Sequence, residues 1–315
     1  MEQQAAPDLS NVRPVTKQTF ELDLTHLLDG SDESGGEDGA QDAHQQHVGR
    51  EDIQGDDAFI LKPVLSQGEC ERLVQETERL TYTFWNQAND TTTYRNADTV
   101  EVLDPKLAEA IWQRIKHLVL ERITITRDQD RWEAGFEGTW KAVGVNEHLL
   151  FARYHEGGHF SPHTDGYTIV DFNKRSLFTL LLYLNDCEEG GSCGTQLFKK
   201  TDTREYVVDA AGRFRWEDAM KLGRAPPSMG TALAFYQDMP HEGEPVGKGS
   251  VKYIIRTDVM YAREDPICDE PKDREAYRLF REAEEVESSG DAMGALKLFQ
   301  RAAKMSPALA DVLGL

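Results

Sequence analysis

Six short apolar runs beyond residue 147 limit what this chain can fold into: "HLLFARY", "SLFTLLLYL", "TQLFKK", "REYVVD", "GTALAFY" and "VKYIIRTDVMY". Gly, Pro, Asn and Asp separate them. Runs this short are strands rather than helices, and turn residues at such spacing close strands into a sandwich or barrel.

Upstream the period is different. Ala58–Leu61 alternates weakly and reads as a strand. Ser66 is followed three residues later by Glu69, a capping box that predicts a helix over 67–80. Asp104-Pro105 opens a second helix, with Leu107, Ile111, Ile115 and Leu118 on its buried face. Helices first and strands later make an α+β domain.

Charge divides the chain further. Residues 1–57 carry 14 Asp and Glu against 3 Lys and Arg, about half of the net −21. "DGSDESGGEDGAQDAHQQ" has no period and too little apolar surface to offset chain entropy, so 1–56 is expected to be a disordered acidic tail. "TFELDLTHLL" (19–28) is its exception, either docked on the body or a partner, or a few stray apolar residues. The acidic balance disfavours nucleic acid and anionic membrane surfaces, which need clustered cations. No apolar run is long enough for a transmembrane helix, and "MEQQAAPDLSNVRPV" has no secretory pattern. Cys70, Cys187, Cys193 and Cys268 form no Cys-x-x-Cys pair. They read as reduced thiols, and the expected location is cytoplasmic or nuclear.

After Pro271, "EAYRLFREAEEVESSGDAMGALKLFQRAAKMSPALADVL" reads as a helical hairpin over 272–313. It resembles a single tetratricopeptide repeat, with Leu279, Ala283 and Val286 on the first helix and Ala295, Phe299, Ala302 and Pro307 on the second. One repeat does not bury its apolar face alone. The hairpin therefore packs on the body, pairs with another copy, or offers a docking face to a partner.

The chemistry concentrates in "FARYHEGGHFSPHTDGY". On a strand, His163 and Asp165 point to one face and can meet one ion. His241, in "FYQDMPHEGEPV", supplies a third ligand from a later strand. Two His and one carboxylate, with three positions left open, are the pattern of non-haem Fe(II) oxygenases. His155 and His159 lack a carboxylate two residues on; the first reads as a surface residue, the second as part of a Gly-rich turn at the pocket mouth. Lys252 and Arg256 follow on one strand with shared parity, ~13 Å apart at ~3.3 Å per residue. Inward-facing cations are costly unless an anion meets them. A dicarboxylate that chelates iron at one end would do so; the competing reading is an edge strand with both cations in solvent.

These motifs together resemble the prolyl 4-hydroxylase branch of the iron(II)/2-oxoglutarate dioxygenases, over residues 57–265. The resemblance rests on "FILKPVLSQGECERLV", "RYHEGGHFSPHTDG", "SLFTLLLYLND", "EEGGSCGTQLF" and "PHEGEPVGKGSVKY", in that order. It implies a double-stranded β-helix, or jelly-roll, with flanking helices. It implies that His163, Asp165 and His241 bind Fe(II). Lys252 corresponds to the cation that pairs with the distal carboxylate of 2-oxoglutarate, Tyr183 to a phenol bonding that carboxylate, and Tyr154 to an aromatic beside the metal. The gap from His241 to Lys252 is longer than the family's usual one, which leaves Arg256 as the rival anchor.

The implied activity is hydroxylation of an unactivated C–H bond with 2-oxoglutarate and O2 as co-substrates and ascorbate as a further cofactor. A prolyl side chain of a protein is the leading substrate, and a small molecule the other. Two rival readings are a catalytically silent jelly-roll that senses or scaffolds, and a zinc hydrolase. The second lacks a His-Glu-x-x-His helix and leaves Lys252 without a role.

Overall fold

The apolar runs are strands, and their pairing builds a large sheet, a five-stranded sheet and a two-stranded one of Tyr206–Val208 with Phe214–Trp216. A computed structural model describes residues 18–29, 47–86, 92–187, 193–200 and 206–315. The chain forms two units. One comprises Met1–Val119, Gly144–Gly166 and Phe178–Val259; the other comprises Leu120–Val143, Tyr167–Leu177 and Met260–Leu315.

In the first unit the larger sheet runs Thr19–Glu21, Asp98–Leu103, His148–Tyr154, residues 252–259 of the Lys252–Arg263 strand, residues 178–183 of the Lys174–Tyr183 strand, Ala232–Tyr236, Ala58–Lys62 and Gly49–Asp52. The smaller sheet runs Lys221–Ala225, Thr195–Phe198, His241–Gly243, His159–His163 and Arg95–Asn96. One core draws Leu181, Tyr183, Leu233, Phe235 and Ile254 from the larger sheet and Leu197 and Ala225 from the smaller. Each such large apolar side chain contributes roughly 1.5–3 kcal/mol by leaving water. The Leu177–Tyr183 stretch is buried on both faces, which is why its sequence is apolar at every position but Thr179 rather than alternating. This is the expected α+β architecture with a double-stranded β-helix.

The first helix spans Gln67–Glu78, and both halves of the Ser66–Glu69 capping box are formed. Glu69 is 1% exposed. Its carboxylate also accepts from Asp29 N at 2.8 Å and from both terminal nitrogens of Arg114 at 2.8 and 2.7 Å. The second helix, Pro105–Ile115, buries Leu107, Ile111 and Ile115; Leu118 lies past its end, half-buried. Its N-cap Asp104 accepts from Lys106 N and Leu107 N and, through its other oxygen, from Leu24 N at 2.6 Å.

That last bond corrects the expectation of disorder over 1–56. Thr19–Glu21 pairs in parallel with the Asp98–Leu103 strand, and Leu24 and Leu28 are buried. Gly49–Asp52 pairs with Ala58–Lys62. A strand edge and two leucines give these short segments enough contact to offset their acidic surroundings. Residues 1–17 and 30–46 lie outside the described residues. The reading of four reduced thiols is also corrected. Cys187 and Cys193 form a disulfide, with Cα atoms 6.7 Å apart; Cys70 and Cys268 are free. The six-residue spacing of Cys187 and Cys193 is no metal or redox motif, so nothing local signals the pairing.

In the second unit Arg122–Ile125 pairs with the beginning of Gly138–Val145. Three helices follow: Pro271–Ser288, Ala292–Met305 and Pro307–Leu313. The expected second helix is thus divided. Pro307 has no N–H to continue it, and Ser306 closes one helix and caps the next through Leu309 N. Leu279, Ala283, Ala295 and Ala302 are buried, whereas Val286 and Phe299 are half-buried. Tyr277, Ala276 and Leu309 share a core with Phe172. The hairpin therefore does not form a domain beginning at 272; it belongs with 120–143 and 167–177.

Glu69 is the most heavily bonded carboxylate of the helical layer. Glu69→Ala removes the capping box and leaves Arg114 without its ion pair, so stability is expected to fall by about 3 kcal/mol. Urea denaturation checks this; an unshifted midpoint would show that the cluster adds nothing.

Candidate functional site

His163 ends the His159–His163 strand and His241 begins His241–Gly243. The two are register partners in the antiparallel ladder. Strand pairing alone therefore brings the imidazoles together, with ring centroids 4.2 Å apart. Asp165 follows the strand end, its N–H donating to Gln237 O at 3.0 Å. His163 Nε2 lies 3.7 Å from Asp165 Oδ1, and His241 Nε2 lies 3.6 Å from Asp165 Oδ2. One ligand atom from each residue falls within 4.8 Å of the others.

Second contacts fix the donor atoms. His163 Nδ1 meets Ser161 O at 2.8 Å, and His241 Nδ1 meets Met239 O at 3.0 Å. A carbonyl only accepts, so each Nδ1 carries the proton and each Nε2 presents its lone pair to the shared centre. Thr179 Oγ1 donates to Asp165 Oδ2 at 2.6 Å. Burial pushes His163 down to about 3, with His241 adding to the shift, and lowers His241 as well. Burial alone would raise Asp165, but His241, Arg256 and His163 outweigh it and hold the carboxyl well below its ordinary range. Neutral imidazoles and an ionised carboxylate are the ligand forms of these side chains. Their chemistry fits a divalent metal.

A second polar group lies along the Lys252–Arg263 strand. Lys252 is 2% exposed, donates from Nζ to Cys193 O at 2.8 Å, and stands opposite Tyr154, whose ring centroid is 5.1 Å from the ammonium. Burial pushes Lys252 down to about 8, opposed by Glu244. Tyr183 donates its hydroxyl to Thr195 Oγ1 at 2.8 Å. Arg256 takes a different position. Its guanidinium lies 3.9 Å from Asp165 Oδ1 and 3.3 Å from Asp258 Oδ1, and donates to Gly166 O at 3.4 Å. The two cations that the sequence left as rivals therefore have separate neighbours.

Tyr154, expected beside the metal, packs against Lys252. His159 lies on a strand rather than in the Gly-rich turn. It is a buried strand residue whose ring nitrogens meet Gly157 O and Thr93 O at 3.1 Å. His155 is exposed, as expected. Sequence reasoning missed Thr179, Thr195, Gln237 and Asp258. Thr179 interrupts the apolar run "SLFTLLLYL" at a buried position, a signal that could have singled it out; Thr195 opens its strand after Gly194 and carries no such signal. Gln237 and Asp258 carry no local signal, because their hydrogen bond, Nε2 to Oδ1 at 2.9 Å, joins distant strands.

Residues 149–257 match the model of the 2OG-Fe(II) oxygenase superfamily. No curated protein matches the chain. Among solved structures, it is similar to a Pseudomonas putida prolyl-4-hydroxylase, at 18% identity over 68% of this chain and 96% of that one, with a TM-score of 0.40. A viral collagen prolyl hydroxylase from Paramecium Bursaria Chlorella virus-1 matches at 19% identity over 67% and 98%, with a TM-score of 0.37. A Trichoplax adhaerens prolyl hydroxylase, solved with a hypoxia inducible factor peptide, matches at 14% identity over 67% and 86%, with a TM-score of 0.44.

Thr179 orients Asp165 without being able to reach the shared centre through the same atom. Thr179→Val is expected to weaken Mn(II) affinity by about 10- to 100-fold, the usual effect of losing a bond to a ligand. Titration calorimetry reads this directly; parent-like affinity would remove Thr179 from the site.

Proposed function

We propose, on the premise that residues 149–257 form a domain of the 2OG-Fe(II) oxygenase superfamily, that this protein is an Fe(II)- and 2-oxoglutarate-dependent dioxygenase hydroxylating a prolyl side chain of a protein. The observation that carries the reading is the convergence of two Nε2 lone pairs and one carboxylate on a single centre. His163, Asp165 and His241 would hold Fe(II), and a metal held by so few protein groups would be open to co-substrate and O2. Bound there, Fe(II) supplies the coupling of 2-oxoglutarate decarboxylation, with O2, to oxidation of a C–H bond.

The protein's own groups do the rest. Lys252 offers a buried ammonium, one of whose three donors is spent on Cys193 O. A distal carboxylate relieves the cost of burying that charge. Tyr183 spends its O–H on Thr195, which frees the Thr195 hydroxyl proton for the same carboxylate. Arg256 faces Asp165 and Asp258, so it keeps Asp165 ionised and oriented. The prolyl assignment rests on the "RYHEGGHFSPHTDG" and "PHEGEPVGKGSVKY" motifs.

Loading the protein with Fe(II), 2-oxoglutarate and O2 is expected to release succinate. A proline-containing peptide library is expected to show a mass gain of one oxygen in the products. His163→Ala and Asp165→Ala should each lower succinate release by more than ~100-fold, since each removes a ligand. Succinate formed at the parent rate in both variants would sink the ligand assignment, and its absence from the parent would favour the sensor reading.

Lys252 sets a pH dependence. Its value in the free protein is about 8, and a bound carboxylate raises it. Above pH ~8 the complex therefore holds more protons than the free protein, so 2-oxoglutarate affinity should be flat below that pH and fall above it. Lys252→Met should bind weakly at every pH and lose the slope. A parent whose affinity does not change between pH 7 and 9.5 would exclude Lys252 as the anchor.

A further inference from the structure

Arg95 stands close to the two histidines of the site. It belongs to the two-residue strand Arg95–Asn96 at the edge of the smaller sheet and is the register partner of Phe160. The register shifts between Phe160 and His163, a bulge that lets these two residues, three apart, share one face. Their rings stack, with centroids 3.5 Å apart and planes inclined by 17°. Arg95 Cζ lies 4.6 Å from the same Phe160 centroid and 5.4 Å from that of Trp85. The distances of 4.6 and 3.5 Å place Arg95 Cζ within about 8 Å of the His163 ring centre.

Arg95 makes no ion pair and no side-chain hydrogen bond among the described residues. By contrast, Arg50, Arg114, Arg153 and Arg215 of the same unit each meet a carboxylate. Of the three Arg95 nitrogens only Nε is both sealed from solvent and unpartnered. The two terminal nitrogens, equally without a partner among the described residues, therefore reach the surface, in keeping with the half-buried state of the residue. The centre beside it is also open: the side chains of His163 and Asp165 are 10% and 13% exposed. Phe160 and Tyr94, whose rings meet edge to face at 5.3 Å, are half-buried. A chain approaching the site meets these two partly covered rings and the outer end of the guanidinium.

We propose that Arg95 is a specificity-determining residue of this site and selects a substrate in which an aspartate or glutamate lies one or two residues from the hydroxylated prolyl. The inference rests on the oxygenase reading for the identity of the reacting centre. Contact with Phe160 and Trp85 holds the guanidinium, and the terminal donors lie in its plane, where the rings do not compete for them. A carboxylate meets such a fork bidentately. An extended peptide advances ~3.3 Å per residue, so one or two residues and an acidic side chain bridge the gap from the centre to Arg95. Arg256, the other arginine near the ligands, already faces Asp165 and Asp258. The net charge of −21 repels an acidic peptide elsewhere, so a preference for one has to come from a local cation.

The test compares acetyl-Ala-Asp-Pro-Asp-Ala-amide with acetyl-Ala-Asn-Pro-Asn-Ala-amide on the full chain loaded with Mn(II) and 2-oxoglutarate, where calorimetry reads affinity without turnover. The Asp peptide is expected to bind at least tenfold more tightly. Arg95→Met is expected to erase that preference. Arg95→Glu is expected to reverse it, taking acetyl-Ala-Lys-Pro-Lys-Ala-amide ahead of the Asp peptide, whereas the loss of a mere strut would weaken all three peptides alike. Equal affinity of the parent for the Asp and Asn peptides, or a preference that survives in Arg95→Met, would overturn the proposal. Tighter binding of the corresponding phosphoserine peptide than of the Asp peptide would overturn it in favour of a phosphorylated substrate. Should both variants fail to fold, the peptide comparison on the parent decides alone. Succinate release with Fe(II) and O2 but no peptide tests the oxygenase reading separately. Its absence beside a firm Asp preference refutes the reaction and upholds the charge selection; its presence beside equal peptide affinities does the reverse.

Discussion

The register that sets His163 opposite His241 is the constraint on which the site depends. Side chains directly opposite in an antiparallel pair have Cβ atoms about 4.5–5.5 Å apart, so the ladder itself fixes the separation of the two imidazoles. A slip of one residue would turn one ring to the other face of the sheet. Asp165 lies beyond the end of the strand, and its tie to Gln237 O replaces the ladder as its restraint. The backbone carbonyls of Ser161 and Met239 then fix which nitrogen of each ring looks inward. Two of the three donors are thus placed by the ladder, and only Asp165 depends on how a loop is held.

Buried and half-buried cations are the other organising element of the first unit. Removing a charge from water is costly, and the chain answers that cost differently at each position. Arg114 and Arg215 have carboxylate partners at 2.7 Å or less. Arg256 is shared between two carboxylates, one of them Asp165. Lys252 has a carbonyl and an aromatic ring, which leave its charge only partly compensated. That shortfall is what lets a lysine serve as a receptor for an anion, whereas a fully paired one would have to give up a partner first.

Much of this was legible in the sequence because it depends on local periodicity. Ser66 and Glu69 announce the start of a helix through a bond pattern three residues long, and the helix begins there. The strand runs, their turns, and the spacing of His163 and Asp165 are equally local. Less visible was the docking of Thr19–Leu28. Its two buried leucines are few within an acidic tail, and their partners, among them Asp104, lie far along the chain. The disulfide between Cys187 and Cys193 and the split at Ser306–Pro307 depend on how neighbouring backbone is held, which spacing alone does not encode.

The sequence by itself determined the residue types available for chemistry, their parity on each strand, and the change from helical to strand period that makes a jelly-roll. Those are properties of short segments, set by backbone geometry that repeats every two or 3.6 residues. Tertiary structure alone decided that Lys252 and Arg256, equivalent by parity, have different neighbours, one a carbonyl and a ring, the other two carboxylates. It also decided that Thr179 bonds Asp165 and that Arg95 lies over the Phe160 ring. Each of these follows from which distant strand or helix packs against the side chain, and contacts between segments far apart in the chain leave no periodic trace in it.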